Sequence, residues 1–309
     1  MRIRKLLARA DQLPIFKLLV PLYVCLVAVF AVLILRGNVQ LLDPAGLISG
    51  VQSQILWAAI AFAGIVSTAL IASFFIIIFR YREGKHRTYE PTWTVGKATQ
   101  AFVWLALTCV IVVISFFVWY TAHLIDPYKP LESSTPPVTI QVVALRWKWL
   151  FLYPNDHIAT VNQLVIPTDT PVSFQLTADA PMSSFWVPRL SGQIYAMPGM
   201  VTQLHVVADK AGTYAGNDVE INGDGYSGME FTVRAMPGDQ FAAWKSTVAS
   251  SRALQQLDPS SYVQLAEPSS YNQPATYHLR DANLFDAIVM QFMEPGANLS
   301  ELTVRGVKL

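Results

Sequence analysis

ATQAFVWLALTCVIVVISFFVWYTA, residues 98–122, contains no charged side chain. HLIDPYKPLESSTPP, residues 123–137, follows it directly and is dense in proline and serine. The first stretch exceeds the ~20 residues an α-helix needs to cross ~30 Å of hydrocarbon. Lipid offers backbone N–H and C=O groups no partner, so they must pair within the segment, and the stretch reads as a transmembrane helix. The second stretch cannot continue a helix and marks a domain boundary. Ahead of the boundary the chain is apolar and helical; behind it the hydrophobic period falls to two. The order is a membrane anchor, a linker, then an external β-domain.

Ahead of this helix, Ile55 to Phe79 is also free of charge, so the two form a hairpin within residues 37–122. A third apolar run, Leu18 to Leu35, follows Arg2, Arg4, Lys5 and Arg9 and ends at Arg36. A basic start before an apolar run is also the form of a secretory signal. The run is longer than a usual signal core and no small-x-small cleavage site precedes Arg36, which favours a retained helix, so residues 1–36 read as a basic N-terminus followed by a first transmembrane helix or a signal. Gly37 to Gln54 has no lysine or arginine, whereas Arg80, Arg82, Lys85, Arg87 and Lys97 crowd the loop between the hairpin helices. The positive-inside rule places that loop in the cytoplasm and the β-domain outside, in the periplasm of a bacterium. The composition fits a membrane protein with a soluble half: 53% apolar, 14% charged. A net charge of +1 gives no electrostatic footprint for nucleic acid.

In the external half, Val172, Phe174 and Leu176 alternate with polar residues, as do Thr202, Leu204 and Val206, and Phe231 and Val233. Val138 to Phe151 reads as one long strand. Turn chemistry at Pro154-Asn155-Asp156, Pro167-Thr168-Asp169, Lys210-Ala211-Gly212 and Asn222-Gly223-Asp224-Gly225 separates the runs. The spacing gives a β-sandwich or barrel over 138–237. From Asp239 the period is helical again. Phe241, Trp244 and Val248 fit one helix face; Leu284, Ile288, Met290 and Phe292 suggest another, capped by Asp281 or Asn283. Residues 238–309 therefore read as a small helical appendage. The only cysteines, Cys25 and Cys109, lie in the apolar stretches, so the β-domain has no thiolate and no disulfide.

Three strings carry a family resemblance: Arg146-Trp147-Lys148-Trp149-Leu150-Phe151-Leu152-Tyr153-Pro154, Phe185 to Met200 (FWVPRLSGQIYAMPGM), and Gly225-Tyr226-Ser227-Gly228-Met229. Together with the hairpin they resemble subunit II of the haem-copper respiratory oxidases, most closely the bo-type ubiquinol oxidases. The likeness runs from about Leu41 to Met293, and Ala266 to Gln273 is similar to the quinol branch. It implies a transmembrane hairpin plus a cupredoxin-like sandwich with a C-terminal helical appendage, in the bacterial inner membrane. Copper-bearing relatives ligate a binuclear centre with Cys-x-x-x-Cys-x-x-x-His-x-x-Met and an upstream histidine. On this sequence those positions fall on Asp218, Asn222, Tyr226, Met229 and a residue near Ser183; only the methionine survives. A lone thioether does not hold copper against water, so no metal or other cofactor is expected in this chain. The resemblance then implies a complex that oxidises ubiquinol. Haems and copper would reside in a partner, subunit I, beside further small membrane subunits, and cytochrome c is not expected as a donor.

Further residues gain a role only through this resemblance. Gln100 stands where many relatives carry a glutamate near the mouth of a proton pathway; a glutamine cannot titrate. Trp147 resembles the electron-entry tryptophan of copper-bearing relatives, and with Trp149 it is read as packing on one strand face. Glu220 matches a magnesium-ligating glutamate, a weak signal for a cation that takes six oxygens. Arg189 follows Pro188 in the most family-like string and could contact subunit I or solvent. The five histidines show no ligand spacing. No motif for nucleophilic hydrolysis, nucleotide binding or zinc is present. The rival reading is an independent membrane-tethered β-domain that binds a periplasmic protein or ligand; it leaves the Trp-x-Trp and Met-Pro-Gly-Met strings without a purpose.

Overall fold

The computed structural model describes residues 21, 23–25, 27–29, 32, 40–80, 92, 94–131, 133, 135–294, 296 and 298–305. Most of the first apolar run and of the basic loop, His86 included, lies outside the described residues. The chain divides into two units, Met1–Asp43 and Pro44–Leu309. In the first, the described residues between 21 and 32 are helical and Gln40–Leu42 forms a 3-10 turn.

The second unit opens with two long helices, α1 (Leu47–Arg80) and α2 (Lys97–Leu124). Both are long and apolar enough to span a membrane, and their most apolar windows contain no buried residue. Phe74, Phe102, Trp104, Ile111 and Phe116 are each more than half exposed. A water-soluble helix would bury one apolar stripe; helices apolar all round belong in lipid or against other membrane helices.

Beyond the linker the chain builds two sheets. The strands are β1 (Val138–Leu145), β2 (Lys148–Tyr153), β3 (Ile158–Val161), β4 (Gln163–Pro167), β5 (Val172–Ala178) and β6 (Ser183–Trp186). They continue with β7 (Ile194–Ala196), β8 (Thr202–Val206), β9 (Gly212–Asp218), β10 (Glu230–Met236), β11 (Gln256–Leu257) and β12 (Ala275–Leu279). One sheet has the order β11-β12-β3-β2-β1-β5-β8, the other β4-β10-β9-β6-β7. Four helices follow or interrupt them: α3 (Gly238–Ser250), α4 (Pro259–Ala266), α5 (Leu284–Met293) and α6 (Leu299–Arg305).

The larger sheet is covered on both faces, which explains why β1 and β2 are apolar almost without alternation. Ile140, Val142 and Ala144 of β1, with Trp149, Phe151 and Tyr153 of β2, face the smaller sheet. Val143, Leu145, Leu150 and Leu152 face the opposite way, onto Tyr262 of α4 and Leu284, Phe285 and Ile288 of α5. Between the sheets the aromatic rings form a connected cluster. Phe185 stacks on Phe231 at 5.0 Å, and Trp149 meets Phe185 edge-on at 5.4 Å. Such pairs contribute ~0.5–1.5 kcal/mol beyond the ~1.5–3 kcal/mol of burying one ring.

Two sequence expectations are corrected here. Val138 to Phe151 is not one strand: it folds back at Arg146–Trp147, with Leu145 opposite Lys148 and Trp147 at φ 65°. Trp147 and Trp149 therefore do not share a strand face; Trp147 sits in the turn. The C-terminal appendage carries the helices expected and adds two short strands: β12 pairs antiparallel with β3 and β11 extends the same sheet. Strands that short carry too little periodicity to be read. The helical faces fare better. Phe241 and Val248 are buried, with Trp244 packed on the core and edge-on to Tyr153 at 5.4 Å. In α5, Leu284 and Ile288 are buried but Phe292 is 43% exposed, so that stripe ends a turn early. Asn283 occupies the N-cap position without a side-chain bond, while Asp281 accepts from its backbone N–H at 2.9 Å.

The hairpin and the sandwich are joined by hydrogen bonds at the start of α1. Ala45 N–H and the Ser49 hydroxyl both donate to the Arg189 carbonyl, at 2.8 and 2.6 Å, and Asp209 N–H donates to the Ala45 carbonyl at 2.9 Å. Gly46 lies so close to the sandwich that a Cβ there would stand 2.6 Å from the Val207 carbonyl oxygen.

Candidate functional site

The fold gathers four of the five positions matched by the resemblance to copper ligands, three of them with another residue type and Met229 retained. Ser183 begins β6, Asp218 ends β9, and the loop after β9 returns Asn222 and Met229 beneath them. Ser183, Asp218 and Met229 are buried. The Asn222 amide N–H group is the centre of the cluster. It donates to the Asp218 carboxylate at 2.7 Å and to the Ser183 hydroxyl at 2.8 Å, and reaches Met229 Sδ at 3.5 Å. Asp218 also accepts from the Ser184 and Glu220 backbone N–H groups at 2.7 and 3.0 Å. Tyr226 does not join this network. It opens the 3-10 turn Tyr226–Gly228 and its N–H donates to the Gly223 carbonyl.

This donor set does not fit a binuclear copper centre. Such a centre needs bridging thiolates and imidazoles. Here a hydrogen-bond donor, the Asn222 NH2, is directed at three of the positions that would have to face a cation. Among the described residues no group of three or more His, Cys, Asp or Glu could hold a metal. Burial pushes the Asp218 carboxyl above its ordinary value, and the hydrogen bonds from Glu220 and Ser184 pull it part of the way back. The Asn222 Oδ1 and Ser184 Oγ atoms are buried without a protein partner.

Trp147 flanks this loop from the other side. Its left-handed backbone turns the indole onto Gly223 and Gly225, where a Cβ at Gly225 would run into the ring. The indole N–H is buried and unpartnered. Glu220 is half-buried, its N–H held by Asp218. Arg189 places its guanidinium over the Tyr214 ring at 5.0 Å and its carbonyl on the hairpin. Gln100 is exposed in the first turn of α2, remote in sequence from the sandwich elements. The structure thus assembles Ser183, Asp218, Asn222 and Met229, sets Trp147 and Glu220 around their loop, and leaves Gln100 and Arg189 on other elements.

Sequence reasoning passed over Lys148. It is buried in β2, and its ammonium donates to the Glu267 carbonyl at 2.8 Å and the Ser269 hydroxyl at 2.5 Å. Burial lowers its pKa and the Glu267 charge raises it in part. The following segment is tied down again. Asn162 Nδ2 donates to the Asn272 carbonyl at 3.0 Å, and the Tyr271 and Ser227 hydroxyls meet at 2.8 Å. Residues 267–272 therefore strap the β1–β2 turn to the loop carrying the lost ligands. A lysine between two tryptophans in an otherwise apolar strand was the available signal.

Known relatives match most of the chain. Residues 150–236 match the family model "Cytochrome C oxidase subunit II, periplasmic domain", and residues 253–296 match "COX Aromatic Rich Motif". The chain is 39% identical to "Cytochrome bo(3) ubiquinol oxidase subunit 2" of Pseudomonas putida, over 84% of this chain and 83% of that one. It is 38% identical to "Ubiquinol oxidase subunit 2" of Acetobacter aceti, over 85% of each. The solved periplasmic domain of subunit II of cytochrome oxidase of Bradyrhizobium japonicum is 21% identical, covering 38% of this chain and 96% of its own, at a TM-score of 0.36, too slight a likeness to bear on function. The hairpin, the sandwich and the identity over most of the chain agree: this chain belongs to the ubiquinol oxidase subunit 2 family.

Proposed function

We propose that this chain is a subunit of a bacterial inner-membrane ubiquinol oxidase complex that contains no redox centre of its own. It anchors through its hairpin, holds its sandwich in the periplasm, and braces a haem- and copper-bearing subunit I together with smaller membrane subunits. Ubiquinol reaches that complex from the bilayer, and cytochrome c does not serve as its donor. The observation behind this reading is the Asn222 amide hydrogen-bonded to Ser183 and Asp218, with Met229 beside it, where copper-bearing relatives place thiolates and imidazoles. A site filled by an internal hydrogen-bond network neither carries an electron nor invites a soft cation. Gln100, Trp147 and Arg189 are assigned to contacts with subunit I. Glu220 is the one carboxylate offered for an interfacial magnesium ion.

The test is purification of the intact complex from its membrane. The expected result is co-purification with a haem-bearing partner, oxygen consumption with ubiquinol, none with reduced cytochrome c, and no near-infrared band from a binuclear copper centre. Purification of this chain alone, or such a band, would refute the proposal.

A further inference from the structure

A small cleft lies between the outer ends of the membrane helices and the sandwich. Its walls come from three places: the first turns of α1 (Ile48, Gln52), the segment after α2 (residues 125–131) and the sandwich (Gly192, Gln193, Leu204, His205). The charge-free part of α2 ends at Ala122 and the helix itself at Leu124. The cleft therefore sits just past the hydrocarbon boundary, at the depth where lipid headgroups stand. One side is apolar, with Ile48 and Leu204. The other offers two side-chain amides, Gln52 and Gln193, a carboxylate, Asp126, an ammonium, Lys129, and the imidazole of His205. The His205 Nε2 atom is buried and has no protein partner. A buried polar atom without a partner costs ~1–3 kcal/mol, so a ligand or water is to be expected at it.

Size and charge narrow the ligand class. The cleft holds about 80 Å³, well under the ~300–1,000 Å³ of pockets for drug-sized molecules. A ring-bearing cofactor does not fit; a small polar tip does. An anion and a cation three residues apart suit a zwitterion better than a net charge. The amide oxygens, Asp126 and the imidazole are satisfied by a tip that can donate hydrogen bonds, which a primary ammonium does and a quaternary one does not. Burial also keeps the His205 pKa below its ordinary value, so the ring is neutral at pH 7 and does not repel an ammonium.

We propose that this cleft binds the headgroup of a zwitterionic phospholipid with a primary amine, phosphatidylethanolamine in chemical class, with Lys129 on the phosphate and Asp126, Gln52, Gln193 and His205 around the ammonium. The lipid bridges the hairpin and the sandwich from the outer leaflet and steadies the angle at which the two meet. The site rests on the reading of α1 and α2 as membrane-spanning helices.

The experiment uses the full chain reconstituted in nanodiscs of phosphatidylcholine with a minor share of phosphatidylethanolamine. After gentle detergent release, native mass spectrometry counts the lipids retained. The expected result is one phosphatidylethanolamine per chain, enriched about tenfold over phosphatidylcholine, as one charge-assisted hydrogen bond would give. Enrichment should disappear in the Asp126→Asn/Lys129→Gln double variant, whose two changes are on exposed side chains. Equal retention of both lipids, enrichment that survives the double variant, or displacement by equimolar soluble glycerophosphoethanolamine would each overturn the site. Resistance to alkaline carbonate extraction is measured in parallel. A chain that washes off the membrane refutes the spanning helices, whereas an inserted chain without lipid preference refutes the cleft alone.

Discussion

Replacing Asp218 tests whether a hydrogen-bond network holds the loop together in place of a metal. The carboxylate accepts from Ser184 N–H, Glu220 N–H and the Asn222 amide. Alanine at this position leaves three donors without an acceptor, each costing ~1–3 kcal/mol when buried. Relief from burying a carboxylate returns part of that gross cost, so Asp218→Ala is expected to destabilise the chain by about 3 kcal/mol. Asparagine keeps one oxygen for the two backbone donors but turns its own NH2 toward Asn222, losing one bond, about 1 kcal/mol. The assay is amide hydrogen exchange on the full chain, read at Ser184 and Glu220, alongside thermal unfolding. Exchange at both amides should accelerate strongly in the alanine variant and modestly in the asparagine variant. If the two variants match each other and the parent within ~0.5 kcal/mol, a resolution set by ordinary surface substitutions, the network carries no stability and the reasoning fails.

Gly225→Ala drives a methyl group into the Trp147 ring and should lower stability by ~1–3 kcal/mol, with a shift in tryptophan fluorescence. Tyr153→Phe removes a hydroxyl that donates to the Val165 carbonyl at 2.9 Å and accepts from its N–H at 2.8 Å; both become buried orphans, and the melting temperature should fall by an amount equivalent to ~2 kcal/mol. On pH, the raised Asp218 carboxyl makes the native state hold more protons than the unfolded one above the ordinary value of 3.8. Its contribution to stability is therefore present at acid pH and lost as pH rises through the native value; Asp218→Asn should remove that component from a pH series of unfolding curves. Lys148 has the opposite slope. Its lowered pKa lets the unfolded state bind the extra proton, so this group's contribution improves as pH rises toward 10.5, and Lys148→Met should flatten the curve there.

Charge and hydrophobic period were enough to read the hairpin and most of the sandwich. The stretches 55–79 and 98–122 lie inside α1 and α2 because lipid tolerates no charge at that depth. The strands β5, β8 and β10 alternate over most of their length because each has one face on the core. Reading failed where both faces are buried. The run from Val138 lost its turn at Trp147, since an apolar residue in a left-handed conformation between two apolar strands gives no local warning. It failed also at β11 and β12, which exist through pairing with a distant strand. Four of the five positions mapped by spacing meet in the fold, but a pattern of absent cysteines says nothing of what fills the space. That Asn222 bonds both Ser183 and Asp218 depends on three segments meeting, which one-dimensional spacing does not encode.

The seam at Gly46 has a mechanical consequence. The backbone bridge to Ala208, with Ala45 and Ser49 both on the Arg189 carbonyl, welds the first membrane helix to the sheet, whereas the second returns through a proline-rich tether. Rocking of the external domain would lever α1 directly through this joint, and any side chain larger than hydrogen at Gly46 would prise it open.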